Sequence, residues 1–187
     1  MRDLKDKVAV ITGGGGGIGR ALALAFATEG MHIALADVEE EALAAVASEV
    51  TKLGVRCSTS VIDVTDLESM QAFADKVFAE LGGAHVICNN AGVVTMKKAQ
   101  DMSASDWDWV VGVNLYGVIN GIQAFLPKMV EQDAGGHIVN TASIAGLVPE
   151  ATPGIISYTA SKYGVTGLTE SMRLDLEQYN IGCTVVC

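Results

Sequence analysis

Short apolar runs rich in β-branched residues alternate along the chain with longer stretches whose apolar positions step by three and four. The short runs are KVAVIT (Lys7–Thr12), HIALAD (His32–Asp37), VRCSTSVID (Val55–Asp63), HVICNN (His85–Asn90) and HIVNTAS (His137–Ser143). Several are apolar nearly throughout, the pattern of strands covered on both faces. Between them, Leu43, Val46, Val50 and Leu53 mark one helical stripe, and Met70, Phe73, Val77 and Leu81 mark another. IGRALALAFAT, Ile18–Thr28, is a third helical stretch. The alternation begins at the first strand and contains no long linker, low-complexity tract or internal repeat. It predicts an α/β fold, a doubly wound parallel sheet with helices on both faces, in a single domain over residues 1–187.

Composition narrows the function classes. Of the 187 residues, 50% are hydrophobic and 18% charged, which excludes a disordered chain. A net charge of −10 argues against a nucleic-acid partner held through its phosphates. The opening MRDLKDKVAVITGG has too short an apolar run for a signal peptide, and no apolar stretch approaches the ~18 residues of a membrane span. The four cysteines, Cys57, Cys88, Cys183 and Cys187, form no CxxC pair. They read as reduced, buried thiols of a cytoplasmic protein, with no metal site.

Directly after VAVI stands TGGGGGIGR, Thr12–Arg20. A flexible linker would not sit between a strand and a helix of one βαβ unit. At that junction backbone N–H groups and the helix N-terminus favour a phosphate, and glycines let a pyrophosphate come close. The second strand ends in Asp37, about twenty residues on, where a carboxylate can accept hydrogen bonds from an adenosine ribose and repel a 2′-phosphate. That favours NAD over NADP. Arg20, inside the helix, reads as a solvated side chain.

YTASK, Tyr158–Lys162, puts a phenol and an ammonium on one helical face. A free tyrosine titrates near ~10, and bringing it to about 7 takes roughly 4 kcal/mol of preference for the phenolate. A neighbouring cation supplies part of that. The pair suits proton transfer coupled to hydride transfer.

With these motifs in order, the chain resembles the short-chain dehydrogenases/reductases from Lys7 to its last residue. TGGGGGIG matches the family's TGxxxGIG, with Gly13, Gly17, Ile18 and Gly19 in place, and implies a Rossmann-type fold. Asp63–Val64 matches the pair that contacts adenine. NNAG, with Asn90, Ala91 and Gly92, matches the motif that supports the sheet and borders the cofactor. VNLYG carries Asn114, TASIAG carries Ser143, and YTASK carries Tyr158 and Lys162. These four resemble the family's catalytic tetrad. The resemblance implies that Tyr158 is the general acid/base and that Lys162 lowers its pKa and holds the nicotinamide ribose. It further implies that Ser143 donates to the substrate oxygen and that Asn114 positions a relay water.

Two departures stand out. Ser143 and Tyr158 lie fifteen residues apart, more than in many members, so LVPEATPGIIS is a longer, shaped loop at the substrate side. The chain stops at GCTVVC, within what resembles the sixth strand, and the C-terminal part of the substrate pocket is expected to be absent. The expected activity is reversible hydride transfer between NAD(H) and a secondary alcohol/ketone, with a steroid-, terpene- or aromatic-like substrate suggested by likeness in Trp107–Met129. Trp107 and Trp109 are expected to pack against neighbours rather than touch substrate. The alternative is a non-catalytic nucleotide sensor or scaffold on the same fold. Helices beginning near Asn114 and Ser157 should pair between subunits, giving a homodimer or homotetramer.

Overall fold

The structure, a computed structural model, describes residues 3–148 and 153–187. Strands β1 (Val8–Thr12), β2 (His32–Asp37), β3 (Cys57–Val61), β4 (Val86–Asn89), β5 (Gly136–Thr141) and β6 (Ile181–Val186) form one parallel sheet in the order β3-β2-β1-β4-β5-β6. The connecting helices are α1 (Gly17–Thr28), α2 (Glu40–Lys52), α3 (Leu67–Leu81), α4 (Ala104–Val111), α5 (Gly117–Gln132) and α6 (Ile156–Leu176). The order reverses between β1 and β4, and the crevice above that reversal is where a doubly wound sheet binds ligands.

Two cores flank the sheet. Ala23 and Ala27 of α1 and Leu43, Val46 and Val50 of α2 pack with Ile11, Ile33 and Leu35 on one face. Met70, Phe73 and Val77 of α3 meet Phe125 and Met129 of α5 on the other, over Val10, Ile87 and Ile138. The helical stripes read from the sequence are therefore the buried stripes, except that Leu53 is exposed, because α2 ends at Lys52. Every residue of β1 is buried, as expected of a central strand, whereas β5 and β6 alternate. In α3, Asp66 accepts from the Glu68 N–H at the start, and left-handed Gly82 closes the end.

Two expectations are corrected. A helix of span length does form: α4, a π-helical turn at Gly112–Tyr116 and α5 run unbroken over 29 residues, long and apolar enough to cross a bilayer by length and composition alone. Its apolar side chains Val118, Ala124, Phe125 and Met129 are buried in the cores, which accounts for its composition. The cysteines are free but not uniformly buried: Cys88 is buried, Cys57 and Cys183 are partly so, and Cys187 is exposed at the sheet edge. Burial pushes the Cys57 thiol up to about 11 and that of Cys88 up to about 12.

Candidate functional site

The site is assembled where β1, β4 and β5 end. Thr12 closes β1, and its Oγ1 accepts from the N–H groups of Asn90 at 3.0 Å and Ala91 at 3.2 Å. Asn90 answers by donating Nδ2 to the carbonyl oxygens of Thr12 (3.1 Å) and Gly13 (3.4 Å), and its Oδ1 accepts from Thr141 Oγ1 at 3.3 Å. Three strand ends are thus tied to the base of the glycine loop by the side chains of Thr12, Asn90 and Thr141. Thr12 was not singled out from the sequence as a site residue. Its signal was its place between the strand and the first glycine.

The glycines divide into packed and open ones. Gly13 takes φ +65°, and a Cβ there would stand 2.9 Å from the Ala91 Cα. A Cβ on Gly19 would overlap the Gly13 carbonyl, so α1 lies directly on the loop. Gly16 and Gly17, by contrast, face open space. Here α1 begins with no side-chain cap and no acidic residue in its first turn, leaving its N-terminal N–H groups and dipole for an anion. Asp37, at the end of β2, accepts the Gly15 N–H on Oδ2 at 2.8 Å and the Glu39 N–H on Oδ1 at 3.2 Å. Arg20 is not merely solvated. It forms a forked pair with Glu49 of α2, Nε to Oε1 at 3.0 Å and Nη2 to Oε2 at 2.5 Å.

The open cleft above these residues has a volume of about 1380 Å³, larger than the ~300–1,000 Å³ of most small-molecule sites. Gly13, Ile18, Asp37, Asp63, Val64, Asn90, Ala91 and Gly92 line it, as do Ser143, Tyr158 and Lys162 further along. Among the expected site residues, Gly17 and Gly19 lie at the loop and Asn114 behind the wall. The cleft thus combines an uncapped helix N-terminus, an open glycine floor and a carboxylate at one end, which fits a dinucleotide.

At the other end, α6 carries Tyr158 and Lys162 one turn apart, with Nζ 5.6 Å from the centre of the Tyr158 ring. Lys162 is 3% exposed and donates Nζ to the Thr141 carbonyl at 2.7 Å. Burial lowers its pKa from 10.5 to about 8. Ser143 lies just past β5 in extended backbone, its Oγ accepting from the Ala145 N–H at 3.2 Å. Asn114 is fully buried within the π-helical turn. Its Oδ1 accepts from the Val93 N–H at 2.7 Å, and its Nδ2 donates to the Val93 carbonyl (2.9 Å) and Ser161 Oγ (3.1 Å). Both amide protons are therefore spent on fixing the β4 loop against α6. A Cβ on Gly92 would stand 3.4 Å from Asn114 Oδ1 and 3.6 Å from Lys162 Nζ, so the three residues meet.

Trp109 departs from expectation: it is 50% exposed and lines the cleft, while Trp107 is partly buried. The longer loop before Tyr158 includes residues 149–152, which lie outside the described residues. Its described flank carries Gly154 at φ +91°, whose carbonyl accepts from the Lys97 N–H at 2.9 Å.

Among known proteins, the chain is 39% identical over 186 residues to the C alpha-dehydrogenase of Sphingobium, covering 99% of this chain and 60% of that protein. It is 38% identical over 182 residues to the probable oxidoreductase EphD of Mycobacterium bovis, covering 97% of this chain and 30% of that protein. The crystal structure of a short chain dehydrogenase/reductase from Burkholderia phymatum in complex with NAD superposes with a TM-score of 0.96 at 42% identity, over 100% of this chain and 66% of that one. The chain thus spans only part of the length of these relatives. The family model for short chain dehydrogenase matches residues 7–187, and with the fold and motifs above it establishes that the chain belongs to the short-chain dehydrogenase family.

Proposed function

We propose that the protein catalyses reversible hydride transfer between NAD(H) and a secondary alcohol/ketone pair. The observation that carries this reading is a single cleft with a phosphate-compatible glycine floor and Asp37 at one end and the Tyr158–Lys162 pair at the other. The nicotinamide would supply or accept the hydride. Tyr158 holds the proton, taking it from the alcohol oxygen or returning it to the carbonyl oxygen. Lys162, charged below about pH 8, favours the phenolate beside it and has donors left for ribose hydroxyls after serving Thr141. Ser143 directs its hydroxyl at the substrate oxygen, and Asn114 keeps Gly92 and Lys162 in register. Asp37 has lone pairs free beyond its two backbone contacts, enough for two ribose hydroxyls but hostile to a 2′-phosphate. The NAD complex of the Burkholderia relative supports the cofactor assignment. Val94, Ile144 and Ile155 line the same cleft as Tyr158, and these apolar side chains support a hydrophobic alcohol.

The test is NAD⁺ reduction at 340 nm against a panel of secondary alcohols. Wild-type protein turns over at least one of them. Tyr158→Phe loses turnover and keeps NADH affinity, whereas Lys162→Ala loses both. Substantial turnover by Tyr158→Phe overturns the assignment.

A further inference from the structure

The helix formed by α4, the π-turn and α5 is fastened along the loop that follows β3. Asn120 donates Nδ2 to the carbonyl oxygens of Val64 at 2.8 Å and Thr65 at 3.1 Å. One turn earlier, Gly117 leaves no room for a side chain against Val64, since a Cβ there would stand 2.7 Å from Val64 Cγ2. Next along the same line, a Cβ on Gly112 would touch Thr65 Cγ2 at 3.4 Å. The steps from 120 to 117 to 112 are three and five, the five reflecting the extra residue of the π-turn. One more step of three toward the N-terminus reaches Trp109. By helical spacing it lies on the same side as Gly112 and one turn from Val113, and Trp109 and Val113 both line the cleft.

Trp109 keeps half of its surface exposed, so much of a large aromatic side chain is left uncovered in the wall of a cleft that Asp63 and Val64 also line. Asp37, at the end of the neighbouring strand β2, lines the same side. A flat heterocycle attached to a ribose held by Asp37 would enter between this loop and the indole. We infer that Trp109 is a binding residue for the adenine ring, stacking on it from the helix side while the Asp63–Val64 loop borders the other. The inference rests on the dinucleotide reading of the cleft and adds a specific recognition element to it. An aromatic wall of this kind accepts a purine through its π-face, as aromatic side chains do for the bases of single strands.

The probe is ADP-ribose, which carries the adenine, both phosphates and both riboses but no nicotinamide. Calorimetric titration of Trp109→Ala gives about tenfold weaker ADP-ribose binding than wild type, and Trp109→Phe recovers most of the loss. Trp107→Phe leaves Trp109 as the sole indole, and its fluorescence is quenched by ADP-ribose and by AMP but not by nicotinamide mononucleotide. Unchanged ADP-ribose affinity in Trp109→Ala, or fluorescence of the Trp107→Phe protein unmoved by AMP, overturns the inference. A change of oligomeric mass in Trp109→Ala with unchanged ADP-ribose affinity overturns it too, because the indole would then belong to a protein interface. Failure of wild-type protein to bind ADP-ribose at all is a different result. It removes the dinucleotide reading itself, and this inference with it.

Discussion

Lys162 carries the strongest electrostatic signature of the site residues. Its ammonium is almost fully buried with one backbone acceptor, and its pKa falls to about 8 from 10.5. Below about pH 8 the folded and unfolded chains both hold this proton. Between about 8 and 10.5 the unfolded chain still holds it while the folded chain has released it. The unfolded state therefore binds more protons, and this group's contribution to stability rises with pH across that window. The shift corresponds to about 3 kcal/mol. Buried thiols titrate nearby with the opposite sign, so the measurement is a difference. Wild type should recover about 3 kcal/mol relative to Lys162→Met as pH rises from 8 to 10.5, read by urea unfolding at each pH. A pH-independent difference rejects a charged buried lysine. On the proposed NAD reading, the Asp37 carboxylate is the group expected to set cofactor choice, through its charge and the lone pairs left beyond its two backbone contacts. A preference for NAD over NADP of at least about a hundredfold, equivalent to about 2.7 kcal/mol, is expected in kcat/KM. Asp37→Ser erodes most of it, and it also loosens Gly15, whose N–H loses its acceptor. A wild type that prefers NADP, or an Asp37→Ser enzyme that keeps the NAD preference, removes Asp37 as the discriminator.

Among the elements, the junction of α4 and α5 shows what pattern reading can and cannot reach. The π-turn places Asn114 so that one side chain serves the Val93 N–H, the Val93 carbonyl and Ser161 Oγ. Asn114→Ala strips all three in a buried site. With about 1–3 kcal/mol for a buried group left unpaired, a loss near 3 kcal/mol is expected, seen as a fall in Tm of about 6–12 °C. A fall under about 2 °C means the β4 loop does not depend on this anchor. The motif made Asn114 legible as a site residue, but not its means of acting. The one extra residue of the π-turn shifts the face by a single position, too small a change to stand out in a stretch as apolar as this one. The alternation of strands and helices along the chain and the glycine loop were legible because they rest on local signals: apolar runs, a cluster of glycines and Asp37 at a strand end. The ties made by Thr12 and Asn120, the Arg20–Glu49 pair and the outward turn of Trp109 join residues distant in the chain, and only the packed fold brings them together. Strand ends were read too long at β3 and β5 because polar residues such as Asp63 and Ser143 follow apolar ones without a break.

For the whole molecule, the question is what covers the outer face of the long helices. On α6, Tyr163 is 41% and Leu174 68% exposed, and between them a Cβ on Gly167 would meet nothing. Tyr116, at the end of the π-turn, is 57% exposed. Large side chains exposed on α6 and on the neighbouring π-turn are the raw material of a helix-to-helix contact between subunits, and such a contact between identical chains would close with two-fold symmetry. The small side at Gly167 would let two copies of α6 approach closely, while Val165 and Thr169 face inward and remain with the core. Light scattering of the protein should therefore give the mass of two or four chains. Leu174→Glu, which places a charge at the C-terminal end of this face without touching the cleft, should shift the mass to that of a smaller species, and Gly167→Leu should do so by filling the gap at its middle. Neither substitution should alter ADP-ribose affinity, because α6 presents Tyr158 and Lys162 from a different side of the helix. A single-chain mass for the unsubstituted protein, or an oligomer indifferent to both substitutions, overturns the assignment of this face as the subunit contact.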